Sequence, residues 1–226
     1  MSGPAYRGYS REVRIWIGLA ACAALAAGCG SGKQAATTVP KTTAAGGPPA
    51  SAFFAPAPSD PMRRARLAGL TPEPAEQLAY HVHAHLDLFV NGQQLLVPAA
   101  IGIDITDPAV REFAEPDGSI GYGGINPPCA DACISPLHTH SDDGILHTES
   151  PITKLNSLGE FFTEWNVRLT PRCVGRYCKP KTRVAIYVDG KPYHGDPRRI
   201  PLSDLKEIAI LIAKPPTAIP SHFPTG

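Results

Sequence analysis

Histidines dominate the chemistry that this sequence can perform, because six of its eight histidines lie in two short stretches. The first stretch, residues 81–85, reads HVHAH, and the second, residues 138–149, reads HTHSDDGILHTE. Neutral imidazole is the commonest protein ligand for zinc, copper, iron and nickel. Alternate residues of a strand point to one face about 6.6 Å apart, so imidazoles with this spacing can converge on one metal ion.

The two stretches predict a site for a divalent transition metal ion, zinc or copper. The methionines are Met1 and Met62, which excludes a Met-rich copper(I) site, and imidazole with carboxylate suits Zn(II), Cu(II), Ni(II) or Fe. A hydrogen-bonded polar face and a protonation switch near pH 6.5 are the alternatives. The candidate ligands are His81, His83, His85, His138, His140, His147 and Glu149.

Three classes of function fit such a site. A binding protein would sequester, buffer or deliver the ion and would need no open coordination position. A metalloenzyme would keep one position open for water and would need a base, for which Glu149 and Asp87 are the candidates. A structural or pH-sensing surface module is the third class. Since no hydrolase, oxygenase or nucleophile motif is present, the sequence favours binding over catalysis.

The N-terminus is typical of an export signal. Arg7, Arg11 and Arg14 precede an apolar run over residues 15–27, which ends in LAAGC at residues 25–29. Small residues before a cysteine in this position resemble the lipobox of bacterial lipoproteins. The resemblance implies a signal peptide over residues 1–28, lipidation of Cys29 and a lipid anchor in the cell membrane on its extracytoplasmic side. An ordinary secretory signal or an uncleaved anchor would also export the domain.

Composition divides the rest of the chain into a tether, a domain and a tail. Residues 29–61 are rich in Ala, Gly, Pro, Thr and Ser and lack periodicity, so we expect them to be disordered. Residues 62–220 suit a single domain with one core, and residues 221–226 form a short tail. The net charge of +1 and the lack of a basic stripe give no indication of nucleic-acid binding.

Four cysteines belong to the predicted domain: Cys129, Cys133, Cys173 and Cys178. An even number of cysteines in an exported domain predicts two disulfides. Among the possible connectivities, the local pairs Cys129–Cys133 and Cys173–Cys178 are preferred. The spacings could also hold zinc, but thiols outside the cell are usually oxidised.

Strand periodicity places the histidines. Residues 80–90 alternate between apolar and polar side chains, which predicts a half-buried strand with His81, His83 and His85 on its polar face. Asn91-Gly92 then predicts a hairpin turn. Residues 98–128 are glycine-rich and are expected to form mostly loop.

A second hairpin is expected from residues 134–140 and 145–149, close to the first histidine stretch. With a two- or four-residue loop, its histidines and Glu149 share one face. With a three-residue loop and a bulge at Gly144, His147 faces the other way.

The second half of the domain adds one helix and further strands. Ser157 and Glu160 form a capping box that predicts a helix start. Strands are predicted at residues 184–188 and 207–212, with a turn at Asp189-Gly190. The stretches VAIYVDGK and LSDLKEI resemble the closing strands of bacterial sulfur-carrier proteins, which have the β-grasp fold.

That resemblance implies an α+β, mostly β fold, in which a β-grasp-like sheet packs on one helix and an N-terminal hairpin is added. A small β-sandwich is the alternative. The chain does not end in the Gly-Gly that sulfur carriers activate, so we do not expect their function.

Six motifs run through most of the predicted domain: HVHAHL at 81–86, VNG at 90–92, PAAIGI at 98–103, LHTH at 137–140, GILHTES at 144–150 and LGEFF at 158–162. Together they resemble an uncharacterised family of exported bacterial and archaeal proteins. The resemblance brings no biochemical activity with it, so function must be argued from the residues.

Overall fold

The structure is a computed structural model that describes residues 54–224. The predicted signal peptide, the predicted lipidation site Cys29 and most of the predicted tether lie outside the described residues. Within residues 54–224, no helix is long and apolar enough to cross a membrane.

The described residues form two short helices, a 3-10 turn at Pro197–Arg199 and eleven strands. In chain order the elements are α1 (Pro61–Leu67), β1 (Tyr80–Val90), β2 (Gln93–Leu95), β3 (Arg111–Ala114), β4 (Ile120–Gly123), β5 (Leu137–His138), β6 (Ile145–Ser150), α2 (Leu158–Glu164), β7 (Cys173–Val174), β8 (Tyr177–Cys178), β9 (Val184–Val188), β10 (Lys191–Tyr193) and β11 (Lys206–Ile212).

A seven-stranded mixed sheet organises the domain: six strands follow the order β10-β9-β11-β1-β6-β5, and β2 pairs with β1 as the seventh. The central strand β1 runs parallel to β11. Along its other edge, β1 pairs antiparallel first with β6 and then with β2, because residues 80–85 face β6 and residues 88–90 face β2. The α+β, mostly β fold class is confirmed, and the parallel first and last strands at the centre are the arrangement that the β-grasp-like prediction requires.

The core lies between the apolar face of this sheet and α2. Ala84, Leu86, Leu88 and Val90 of β1 are buried there together with alternate residues of β11. The predicted capping box is present, since the Ser157 hydroxyl accepts from the Glu160 N–H at 3.3 Å and the Glu160 carboxylate accepts from the Ser157 N–H at 2.6 Å. The capped helix buries Leu158, Phe161 and Phe162, and Trp165 at its C-cap is buried with them.

The opposite face of the sheet is polar where the histidines lie. His81, His83 and His85 alternate with the core residues of β1 and therefore share this face, as predicted. Farther along β1, Phe89 packs with Ala209 and Leu211 in a small apolar patch. The polar groups of this face therefore lie along residues 81–87 of β1, with the neighbouring strands β5 and β6 on one side and β11 on the other.

Both local disulfides, Cys129–Cys133 and Cys173–Cys178, are present as predicted. The second disulfide closes the β7–β8 hairpin, in which its two cysteines are directly paired. The segment 98–128 is mostly irregular, as predicted, and β3 and β4 form a short hairpin within it.

Residues on either side of the predicted domain, 62–220, also contact it. Phe54 is buried against Trp165, and the Trp165 indole N–H donates to the Ala55 carbonyl at 2.8 Å. At the other end, the Phe223 ring lies 6.2 Å from the His85 ring. One aromatic residue at each of these Pro-rich ends therefore lies against the domain.

At pH 8 the Glu164→Gln variant is expected to melt roughly 3–6 °C above the parent. The substitution removes the cost of burying a charged carboxylate, about 1–2 kcal/mol of unfolding free energy. Glu164 is 1% exposed, and neither carboxylate oxygen has a hydrogen-bond partner. Burial therefore raises its pKa well above the usual value. A raised pKa gives stability that is present at low pH and is lost as the pH rises through the folded-state pKa.

Thermal unfolding of the metal-free proteins between pH 4 and pH 8 measures this effect. The gain should vanish near pH 4, where the unfolded-state carboxyl is also largely protonated. Glu112→Gln on exposed β3 is the matched control for the substitution and should melt as the parent does. An equal shift at every pH would attribute the gain of Glu164→Gln to packing rather than to ionisation.

Candidate metal centre

Strand pairing brings the two histidine stretches together. The β1–β6 register sets His81 opposite Glu149 and His83 opposite His147, and the β5–β6 register sets His138 opposite His147. This register corresponds to the four-residue loop at 141–144. The rings of His83 and His147 are 4.5 Å apart, so the predicted proximity of the two stretches is confirmed. We call the resulting assembly the histidine cluster: His81, His83, His138, His140, His147 and Glu149.

Four members of the histidine cluster form its less exposed part, which we call the inner group: His138, His140, His147 and Glu149. One ligand atom from each of the four lies within 4.8 Å of the others. The side chain of His138 is 0% exposed and that of Glu149 is 4% exposed. Three imidazoles and one carboxylate make a donor set suited to a four-coordinate divalent ion.

Backbone carbonyls fix the ring nitrogens of two of these histidines. His138 Nδ1 lies 2.9 Å from the Ser135 carbonyl, and His140 Nδ1 lies 2.6 Å from the Tyr122 carbonyl. A carbonyl can only accept, so each Nδ1 carries the proton and each neutral ring presents a lone pair at Nε2. Metal-binding histidines are oriented in the same way, with the other ring nitrogen donating to a carbonyl or carboxylate.

The two Nε2 atoms of His138 and His140 point at each other across 3.2 Å. Two lone pairs at this distance repel unless a cation lies between them. Two nitrogens bound to one tetrahedral ion at ~2.05 Å are separated by about 3.3 Å. The observed separation therefore matches two ligands of one ion.

The Glu149 carboxylate is the centre of the cluster. Its Oε1 lies close to four imidazole nitrogens, at 3.2 Å from His81 Nε2, 3.9 Å from His138 Nε2, 3.9 Å from His140 Nε2 and 3.7 Å from His147 Nδ1. Its Oε2 is buried and has no hydrogen-bond partner. The same is true of His147 Nδ1. Burial acts to raise the pKa of Glu149, but the surrounding imidazoles, first those of His140 and His147, outweigh burial and hold that pKa well below its usual range.

Burial also prepares most of these histidines as ligands. It lowers the pKa of His138 strongly and the pKa of His83 and His147 to a smaller extent, so these rings are neutral at pH 7. Burial acts to lower the pKa of His140 too, but the nearby Glu149 carboxylate and the hydrogen bond to the Tyr122 carbonyl outweigh burial and leave that pKa raised. His140 is therefore the ring at which a proton competes best with a metal ion.

A second set of ligands overlaps the first at the surface, and we call it the outer group: His81, His83 and His147. One nitrogen from each ring lies within 4.8 Å of the other two. The His81 and His83 rings are 4.4 Å apart. His147 belongs to both groups, so the five imidazoles form one continuous patch.

His85, predicted as a ligand with the others, lies in a separate group with Asp87 and Glu207. Its Nδ1 is 2.7 Å from the Glu207 carboxylate and its Nε2 is 3.0 Å from the Asp143 carbonyl. Both nitrogens thus face acceptors, which requires the protonated imidazolium. Burial lowers the pKa of His85, but the hydrogen bond to Glu207 outweighs it and the pKa is raised, while burial raises that of Glu207 to about 6.

Backbone groups and glycines that sequence reasoning missed complete the inner group. A Cβ at Gly123 would lie 2.6 Å from His140 Nδ1, and a Cβ at Gly102 would lie 2.6 Å from the Leu137 carbonyl and 3.2 Å from His138 Cβ. Both glycines have positive φ. The segment expected to be loop therefore packs closely on the two histidines, and its many glycines were the signal in the sequence.

An apolar cavity of about 640 Å³ lies beside this segment, between residues 96–106 and 118–122. Its lining contains no histidine, and Tyr122 is its link to the histidine cluster. The chemistry of the described residues is therefore concentrated in the histidine cluster rather than in this cavity.

No family model, curated protein or solved structure matches this chain. The geometry of the histidine cluster is therefore the basis for assigning a function.

Proposed function

We propose that the protein is an extracytoplasmic metal-binding protein that holds one zinc or copper ion in the inner group, for sequestration, buffering or delivery. The observation that carries this proposal is the pair of Nε2 lone pairs of His138 and His140, directed at each other across 3.2 Å. Both rings are held in this tautomer by carbonyls, so rotation of an N–H cannot relieve the contact.

A metal ion accounts for three features of the inner group at once. It would accept both Nε2 lone pairs, it would bind the orphaned His147 Nδ1, and it would neutralise the buried Glu149 carboxylate. An extra proton on His140 would satisfy the His138–His140 contact alone. A buried polar atom without a partner costs about 1–3 kcal/mol, so the orphaned His147 Nδ1 favours the ion over the proton.

Binding is favoured over catalysis by the state of Glu149. A general base works best with a pKa near the operating pH, whereas the imidazoles around Glu149 hold its pKa well below the usual range. Glu149 therefore suits a ligand. Asp87, the other candidate base, lies in the separate His85 group. Its contacts are with His85 and Gln94 rather than with the histidine cluster.

The export signal in the sequence and the two disulfides support a location outside the cytoplasm. A lipid at Cys29 would anchor the protein to the membrane, with the tether holding the domain away from it.

Elemental analysis of the full-length chain, purified without a histidine tag, tests the proposal. After equilibration with zinc or copper and removal of free ions, we expect one tightly held equivalent per chain. Retention of neither ion would contradict the proposal and would leave the cluster as a structural or pH-sensing face.

A further inference from the structure

We propose that the outer group is a landing site that receives a metal ion from solvent and passes it to the inner group through the shared ligand His147. This inference rests on the proposed function, because the inner group must bind the ion that is passed on. It assigns a separate role to His81 and His83, which the inner group does not need for four-coordinate binding.

The exposure of the imidazoles falls along the cluster in the order that such a path requires. The side chain of His81 is 34% exposed, those of His147 and His140 are 17% exposed, and that of His138 is 0% exposed. An ion arriving from solvent therefore meets His81 first and His138 last.

The contacts between the rings are short enough for stepwise exchange of ligands. The ring of His147 is 4.5 Å from that of His83 and 4.4 Å from that of His140. Glu149 Oε1 reaches His81 Nε2 at 3.2 Å while also facing the inner histidines. An ion can thus gain an inner ligand before it loses its last outer one, and it need not return to bulk water between the two groups.

The shared ligand also argues against two ions bound together. A neutral imidazole has one lone pair, so His147 can coordinate one ion at a time. Glu149 is the single carboxylate of the cluster, and two divalent ions would place four positive charges around it. Asp204, Asp143 and Glu76 lie nearby, but each accepts a backbone N–H instead. The two groups are therefore alternative positions for one ion.

Zinc exchange kinetics of the full chain test this proposal. Stopped-flow mixing with Zn²⁺ gives the association rate, and transfer of bound Zn²⁺ to an excess of a coloured chelator gives the release rate. In the His81→Ala/His83→Ala variant we expect both rates to fall about tenfold or more. A tenfold fall requires the activation free energy of zinc transfer to rise by only ~1.4 kcal/mol. A landing site speeds both directions equally, so the dissociation constant should stay the same.

Two further variants make the result specific. His194→Ala/His222→Ala removes two exposed histidines outside the cluster and should exchange zinc at the parent rates. His83→Ala alone keeps the His81–Glu149 contact and should slow exchange to an intermediate extent, which separates loss of the landing site from disturbance of Glu149.

Three outcomes would overturn the proposal while leaving the proposed function intact. Parent rates in the double variant would show that the ion reaches the inner group by another route. A fall from two zinc ions to one would show an independent second site. A weaker affinity with unchanged association would make His81 and His83 ordinary ligands. If the parent itself holds no zinc, the proposed function fails and the landing site fails with it.

Discussion

Replacing His138 and His140 together by alanine is expected to weaken zinc binding at pH 7 by at least about a thousandfold, since a structural zinc site is worth ~10–16 kcal/mol over about four ligands. Two of the four inner ligands then account for several kcal/mol, and each 1.4 kcal/mol is tenfold in affinity. The remaining inner ligands, His147 and Glu149, cannot close a four-coordinate site. Competition with a chelator of known zinc affinity measures the loss.

Removal of the buried His138 ring also leaves a cavity, so the fold of the variant must be checked by near-UV circular dichroism. The His194→Ala/His222→Ala variant loses the same number of imidazoles from the surface and should bind zinc as the parent does. If the His138/His140 variant binds zinc and copper as tightly as the parent, the ion is held elsewhere in the protein.

Local sequence patterns were sufficient to predict the faces of the elements. The alternation in residues 80–90 placed three histidines on one side of β1 and the core residues on the other. Asn91-Gly92 fixed the pairing of Leu88 with Leu95. The capping box at Ser157 located the start of α2. These patterns work because the side-chain period and the turn or cap chemistry involve residues that are close in sequence.

The neighbours of each histidine could not be predicted in the same way, because they depend on which strands meet. His83 and His85 share a face, yet His83 lies opposite His147 of β6 whereas His85 lies opposite Glu207 of β11. Glu207 is more than a hundred residues away along the chain, and no local signal links it to His85. The separation of His85 from the other ligands is therefore a property of the sheet order.

The supporting groups of the site were invisible for a different reason. Ser135 and Tyr122 act through their backbone carbonyls, which every residue possesses, so residue type carries no information about this role. The glycine content of residues 98–128 indicated loop, whereas the close packing of Gly123 on His140 shows that a small residue is needed there for space as well as for its positive φ.

The Glu149→Gln variant is expected to bind zinc at least about 100-fold more weakly than the parent, because Glu149 is one of four inner ligands of a site worth ~10–16 kcal/mol and each 1.4 kcal/mol is tenfold in affinity. Glutamine keeps the shape of the side chain and removes the negative charge that four imidazoles contact. Chelator competition at pH 7 gives the affinity, and Glu112→Gln on exposed β3 is the control for an isosteric change elsewhere.

Two measurements on the metal-free Glu149→Gln variant test the electrostatic cause. Burial acts to lower the pKa of His140 while Glu149 acts to raise it, so loss of the charge should lower that pKa in a histidine NMR titration.

The second measurement is the stability of the metal-free proteins. Because the folded-state pKa of Glu149 is depressed, its ionised form stabilises the parent above the unfolded-state pKa, and this stability is lost as the pH falls. The variant should therefore be less stable than the parent at pH 7, and the difference should shrink below about pH 4. Weaker zinc binding with an unchanged His140 pKa would make Glu149 a ligand without this electrostatic role, and no change in any of the three measurements would place Glu149 outside the site.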